Sequence, residues 1–254
     1  MILTDHGQFS IEHEIVPWIQ ACFLFVRTFY MRVPLEIFMK LPEQKEGFHL
    51  TEEELYHISA NIPSELRICE ISDDYVTAQD IFEDPDFFRE ILFLQGDRDY
   101  YIPSYSEIME LWEEGCLIRK KPYQKMKEVL IGKTSMEEKQ AQSLLTDLWQ
   151  MIVLENDLNG ILQWFLEQVA LNDKSRLQEV IDLYMSMYES TNMACFRGYA
   201  PVDMPAPAMK PEGIPVTVPG SSRVLKVLNQ TTHGIRKMNF ELDLDGDPDE
   251  LPIG

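Results

Sequence analysis

The chain is poor in cysteine, poor in basic residues and without a long apolar run. Its four cysteines in 254 residues, Cys22, Cys69, Cys116 and Cys195, stand apart with no C-x-x-C pair. That spacing argues against a disulfide framework or a clustered thiolate site, and predicts reduced thiols in a cytoplasmic protein. Lys and Arg number 22 against 43 Asp and Glu, for a formal charge of -21. Such a surface repels phosphate backbones and anionic lipid, so duplex nucleic acid and membranes are poor partners. The most apolar run, IVPWIQACFLFVRTFYM, spans 17 residues and contains Gln20 and Arg27, short of the ~20 residues a membrane-crossing helix needs. A buried core helix is the better reading. MILTDHGQFSIEHE is acidic where a secretory leader is basic, so no targeting segment is expected. No phosphate-cradling loop, serine elbow or cysteine-protease signature occurs. An enzyme would have to assemble its carboxylates from distant parts of the chain; none is assigned as catalytic, and no cofactor is expected.

The fragments that resemble metal sites are incomplete. His13-Glu14 resembles the start of a zinc-protease helix, but the second histidine one turn on is replaced by Trp18. Asp243, Asp245, Asp247 and Asp249 imitate a calcium loop, yet Pro248 stands where the loop needs glycine and Gly254 where it needs glutamate. A solvated acidic tail accounts for them. His49 and His57 stand singly in the sequence and read as surface or core residues.

Helix signals dominate what is present. Apolar residues make up 45% of the chain and aromatics 11%, enough for a packed core. Ile15, Trp18, Ile19, Cys22, Phe23, Val26, Phe29 and Tyr30 keep the spacing of one helix face. Val33-Pro34 breaks that helix and pre-sets the start of a short one. Thr51 with Glu54, Ser104 with Glu107 and Ser135 with Glu138 read as capping boxes. Asp84-Pro85 reads as a cap followed by a first-turn proline. ELRICEISDDYVTAQ reads as a hairpin turning at Ser72-Asp73-Asp74. Pro122 to Leu130 is expected to be a helix ended by Gly132. Three striped helices come next, joined by short connections as antiparallel bundle neighbours.

Beyond Tyr188 the pattern changes. Arg197, Gly198, Tyr199 and Pro201 read as a helix stop, with glycine supplying permissive dihedrals and proline preventing continuation. The competing reading is a ligand or phosphate contact by Arg197 beside Gly198 and Tyr199. It would need a second convergent base, and Lys174 and Arg176 are the nearby candidates in sequence. Prolines at 201, 205, 207, 211, 215 and 219 predict a semi-extended linker. RVLKVLN and IRKMNFELDLD then read as strands. The second alternates strictly, with Met238, Phe240, Leu242 and Leu244 on one face and Asn239, Glu241, Asp243 and Asp245 on the other. One face therefore asks for burial by a partner or by the chain itself.

QGDRDYYIPSYSEIMEL at 95–111, Tyr123 to Leu130, the helices over 135–170 and a terminal helix closing on Thr191, Arg197-Gly198-Tyr199, Pro201, Asp203 and Met204 together resemble a family of uncharacterised helical proteins. These come from Gram-positive, clostridial-type bacteria and often end in a SEC-C zinc knuckle. Residues 14–94 are similar to the winged-helix-like segment such proteins carry upstream. The residue patterns and the resemblance together predict a mainly α fold: a winged-helix-like region with a short hairpin over 1–98, as the resemblance implies, a helical bundle over 99–204, and, from composition and alternation alone, a Pro-rich linker over 205–222 and a β-forming acidic tail over 223–254, as a β-hairpin or an extended segment. This chain has Glu189, Ser190, Asn192 and Ala194 where the family carries asparagines, an arginine and a tryptophan. No cysteine follows Cys195 and His233 stands alone, so the knuckle's four converging ligands are missing and no metal site is carried over.

Three function classes are open to such a chain. The leading one is a nonenzymatic cytoplasmic interaction or scaffold protein whose C-terminal strand, through Met238, Phe240, Leu242 and Leu244, docks on a protein partner or on its own body. The second is a nucleic-acid-associated factor, or an acidic mimic of nucleic acid, on the winged-helix-like region. Against direct binding, the helix after Thr51 offers Glu52, Glu53 and Glu54 and no base. The third is an enzyme.

Overall fold

A computed structural model describes residues 15–204, apart from 83, 135, 156 and 170–173 and the side chains of 174 and 175, together with the backbone of three strands between 214 and 242. The described chain is mainly helical. It divides into two compact units, Met1–Leu117 with Thr191–Pro201, and Ile118–Ser190 with Val202–Gly254. The first unit thus runs past the division expected near 98 and takes back a short segment from beyond the bundle helices.

The first unit begins with α1 (Ile15–Phe25), which continues as one wider π turn through Tyr30. Met31 then turns with φ 63° and donates its N–H to Val26 O at 2.8 Å. Strand β1 (Arg32–Pro34), α2 (Leu35–Phe38) and α3 (Glu52–Asn61) come after it. Pro34 closes the strand and caps α2 rather than opening it. The hairpin forms as β2 (Cys69–Ser72) and β3 (Tyr75–Ala78). Its two turn residues, Asp73 and Asp74, both have positive φ, the geometry that matches strand twist in a two-residue loop and that aspartate tolerates better than most. β1 pairs antiparallel with β3, so the sheet order is β1-β3-β2. Helix, strand, two helices and a hairpin thus follow one another, with the first strand beside the last.

α4 (Pro85–Gln95) starts where Asp84 accepts from Phe87 N at 3.2 Å. α5 (Tyr105–Glu114) has the capping box of Ser104 and Glu107, as α3 has that of Thr51 and Glu54. The core of this unit is aromatic. Phe23, Phe25, Phe29, Tyr30 and Phe38 are fully buried, Phe23 stacks on Phe38, and Trp18 of α1 meets Tyr105 of α5 at 5.1 Å.

The second unit is built from α6 (Lys121–Thr134), α7 (Glu138–Leu154), α8 (Leu158–Gln168) and α9 (Lys174–Ser190). Each packs on the next, and α6 also packs on α9, closing a four-helix ring. The stripes read from the sequence are mostly buried: Leu145, Leu148 and Ile152 on α7, Ile161, Leu162 and Phe165 on α8, Val180, Ile181 and Tyr184 on α9, while Leu177, the first residue of the α9 stripe, is half-buried. Two boundaries differ from expectation. α6 runs through Gly132, which lies in open space with an ordinary helical φ; a glycine weakens a helix by roughly 1 kcal/mol without ending it. α7 begins at Glu138 with Glu137 as its cap, whose N–H is taken by Gln140 Oε1 at 3.3 Å; Ser135 lies outside the described residues.

The backbone beyond Met204 forms β4 (Ile214–Thr217), β5 (Val224–Thr232) and β6 (Ile235–Leu242), an antiparallel sheet in sequence order. The two expected strands pair as a hairpin. β4 is an addition inside the Pro-rich stretch, and Pro215 is tolerated there because β4 is an edge strand.

Candidate functional site

The Arg197-Gly198-Tyr199 turn sits in the first unit, against the segment that comes after α4. After α9 the chain makes a short 3-10 turn at Ala194–Phe196, and Arg197 leaves it in the left-handed region at φ 51°, ψ 41°. That conformation costs a non-glycine residue roughly 1–2 kcal/mol, so surrounding contacts must hold it. They are backbone carbonyls and an aromatic ring. One terminal nitrogen of Arg197 donates to Gly96 O at 2.6 Å and the other to Arg98 O. The guanidinium lies 4.4 Å from the centre of the Tyr100 ring, and Arg197 O accepts from Tyr101 N at 3.1 Å. Nε is buried without a hydrogen-bond partner.

The next residue is a glycine for space as well as for its φ of 84°. A Cβ at Gly198 would lie 3.2 Å from Tyr30 Cε1 and 3.4 Å from Tyr101 Cβ. Tyr199 turns its ring edge toward Tyr101 at 5.5 Å. Asn192, itself buried, donates to Gly198 O. Beneath the turn, the buried amide of Gln95 donates to Tyr30 O at 3.1 Å and to Ala194 O at 2.9 Å. The Tyr30 hydroxyl donates to Tyr101 O, and burial pushes that phenol well above its usual pKa, so it stays a donor. Arg98 completes the end of α4, donating to Leu94 O at 2.6 Å and Gln95 O at 2.9 Å. Positive side chains on the last carbonyls of a helix complement its dipole.

Chemically, this is a lock. Both terminal nitrogens of Arg197 are taken up by carbonyls; the helix itself stops earlier than the sequence reading placed it, α9 ending at Ser190, so Arg197 and Gly198 turn the chain after a short 3-10 segment instead of ending the helix. The second base near it is Arg98. Arg176 instead donates to Lys133 O within the second unit, and the side chain of Lys174 lies outside the described residues. Sequence reasoning missed Gln95, Arg98 and Tyr30 as partners of the turn. A signal for the first two existed: they belong to QGDRDYY, one of the segments on which the family resemblance rests, and the structure lays that segment against Arg197-Gly198-Tyr199.

No constellation of catalytic groups accompanies the lock among the described residues. All four cysteines are buried and none is joined in a disulfide. Burial raises the thiols of Cys22 and Cys69 far above their usual range and pushes Cys195 up to about 11. They are protonated and poor nucleophiles at neutral pH. His49 and His57 are exposed. Among the described residues no group of His, Cys, Asp and Glu could hold a metal ion, and no helix is long and apolar enough to cross a membrane. An open groove of about 710 Å³ between α6 and α7 is lined by Lys127, Glu138, Lys139, Gln142 and Asp147 among others. The Lys127–Glu138 ion pair at 3.0 Å lies in it. It lies open to solvent, unlike the enclosed pockets that bury most of a small molecule's surface.

The docking residues read from the tail take register positions. In the β5–β6 pair, Met238 stands opposite Asn229, Phe240 opposite Val227 and Leu242 opposite Leu225. Leu244, His13-Glu14 and the acidic run from Asp243 lie outside the described residues. No protein-family model, curated protein or solved structure matches the chain.

Proposed function

We propose that this is a nonenzymatic, cytoplasmic interaction or scaffold protein, related to the clostridial-type helical proteins but without their zinc knuckle, whose C-terminal β segment docks on protein. The observation carrying this reading is the register of β5 and β6. It sets Val227 beside Phe240 and Leu225 beside Leu242, so the alternation of the strand becomes a shared apolar face that needs cover. Docking by an added sheet or strand is a common recognition mode. The test compares proteins captured from native lysate by the full-length chain and by residues 1–204. Tail-dependent, saturable capture is expected; equal capture by both chains would remove the tail from the interaction.

A second reading is favoured by the first unit. In a winged-helix-like arrangement α3 holds the place of a recognition helix. Here it exposes Glu52, Glu53, Tyr56 and His57, and the hairpin turn exposes Asp73 and Asp74. Acids there repel phosphate and suit a basic protein surface, as in a mimic of nucleic acid. Competition with duplex DNA for a basic DNA-binding protein is its test, and loss of competition on Glu52→Lys with Glu53→Lys is the expected outcome.

A further inference from the structure

The C-terminal sheet has two unlike faces. Directly paired residues of antiparallel strands share a face, and alternate residues along a strand return to it. The register therefore places Val216, Leu225, Val227, Met238, Phe240 and Leu242 on one face, with Asn229, Thr231 and Arg236 toward one end of it, while Lys226, Gln230, Lys237, Asn239 and Glu241 fall on the other together with Val224, Leu228 and Ile235, so the first face is the more apolar. A three-stranded sheet with one apolar face needs something to pack against before it is stable in water. The fold indicates what that is, because β4 runs alongside α8 within the second unit. On α8, Trp164 is half-buried, and Asn159 Oδ1 is buried with no hydrogen-bond partner.

We propose that the apolar face of the β4-β5-β6 sheet closes over the α8 side of the same chain, so that the C-terminal segment is held in cis as an outer layer of the helical unit. The inference rests on reading the tail as a docking segment and names its resting place. A protein partner that uses the same face then competes with α8 for it. Docking in cis also suits a chain of net charge -21, since two such chains repel each other.

Amide exchange on the purified full-length protein tests this without any partner, so failure to capture a partner from lysate leaves the result untouched. Amides of 224–242 are expected to exchange slowly and at rates independent of protein concentration. Trp164→Glu on one side and Phe240→Ser on the other are each expected to speed that exchange by at least about tenfold, the scale set by one buried large apolar side chain, while α7 stays protected. Should Trp164→Glu unfold the bundle, Phe240→Ser carries the test, paired with acrylamide quenching of Trp164 fluorescence relative to a Trp164→Phe control. Fast exchange in the unaltered protein would overturn the proposal. So would protection that emerges only as concentration rises, which points to a second copy, or release of the sheet with no change at Trp164.

Discussion

Two glycines of the first unit share a backbone problem and differ in their surroundings, which makes the cost of crowding at the Arg197-Gly198 turn measurable. Gly115, at the end of α5, has φ 71° and nothing within 4 Å of the point a Cβ would occupy; Gly198 has φ 84° and Tyr30 Cε1 at 3.2 Å from that point. Alanine at either site incurs the left-handed penalty of roughly 1–2 kcal/mol. At Gly198 it must also displace Tyr30, whose hydroxyl is tied to Tyr101 O, and Tyr101, whose N–H is tied to Arg197 O. Neither tyrosine can retreat without breaking a bond, so an overpacking cost of about 1–3 kcal/mol is added. Gly115→Ala is therefore expected to destabilise by about 1–2 kcal/mol and Gly198→Ala by about 2–5 kcal/mol. Urea unfolding of both variants, followed by aromatic fluorescence and by circular dichroism, supplies the comparison. Equal losses would refute the claim that the turn is sterically locked, and a Gly198→Ala loss below about 0.5 kcal/mol, the range of ordinary surface changes, would refute the backbone argument as well.

Residues 1–204 are expected to keep cooperative thermal unfolding, whereas residues 1–190, which lack the segment that closes the first unit, lose that unit's transition; equal melts would show the segment to be dispensable. The four thiols should resist a disulfide reagent at pH 8 in the folded protein and all react in denaturant. Because the Cys195 thiol is raised from 9.0 to about 11, the unfolded chain binds fewer protons in that window, so stability should fall as pH climbs from about 9 toward 11 and regain part of the loss in Cys195→Ala. The protein purified without a histidine tag should carry no stoichiometric zinc and cause no shift of duplex DNA at physiological salt; metal analysis and gel retardation check both.

What the sequence disclosed was local. Thr51 with Glu54, Ser104 with Glu107 and Asp84 before Pro85 name their own hydrogen bonds within four residues, and each forms. The stripes of α7, α8 and α9 announce their buried faces because helical spacing repeats inside one element. The third strand was not legible: Arg32–Pro34 is three residues long and becomes a strand only by pairing with β3, more than forty positions later. Gln95 could not be read as a bridge, since its two acceptors are 65 and 99 positions away. Glycine was ambiguous in the same way. At 115 it ends a helix with φ 71° and at 132 it rides inside one, although both stand in open space, so the residue type alone does not tell the two apart. Of the candidate site, the turn chemistry at Gly198 was visible, but the anchoring of Arg197 on the carbonyls beyond α4 was not.

The interrupted path of the first unit has a consequence for its birth on the ribosome. Its last segment, Thr191–Pro201, is made about 80 residues after Leu117, a delay of roughly 4–16 s at ~5–20 residues per second. Through that interval the aromatic core around Phe29 and Tyr30 lacks its closing piece, while the four helices between are synthesised and can fold first. The usual vectorial order, with the amino-terminal body finished before the next begins, does not hold, since both units take residues made after Ser190. Nascent chains halted near residue 190 are the species that a chaperone would meet with that core still open.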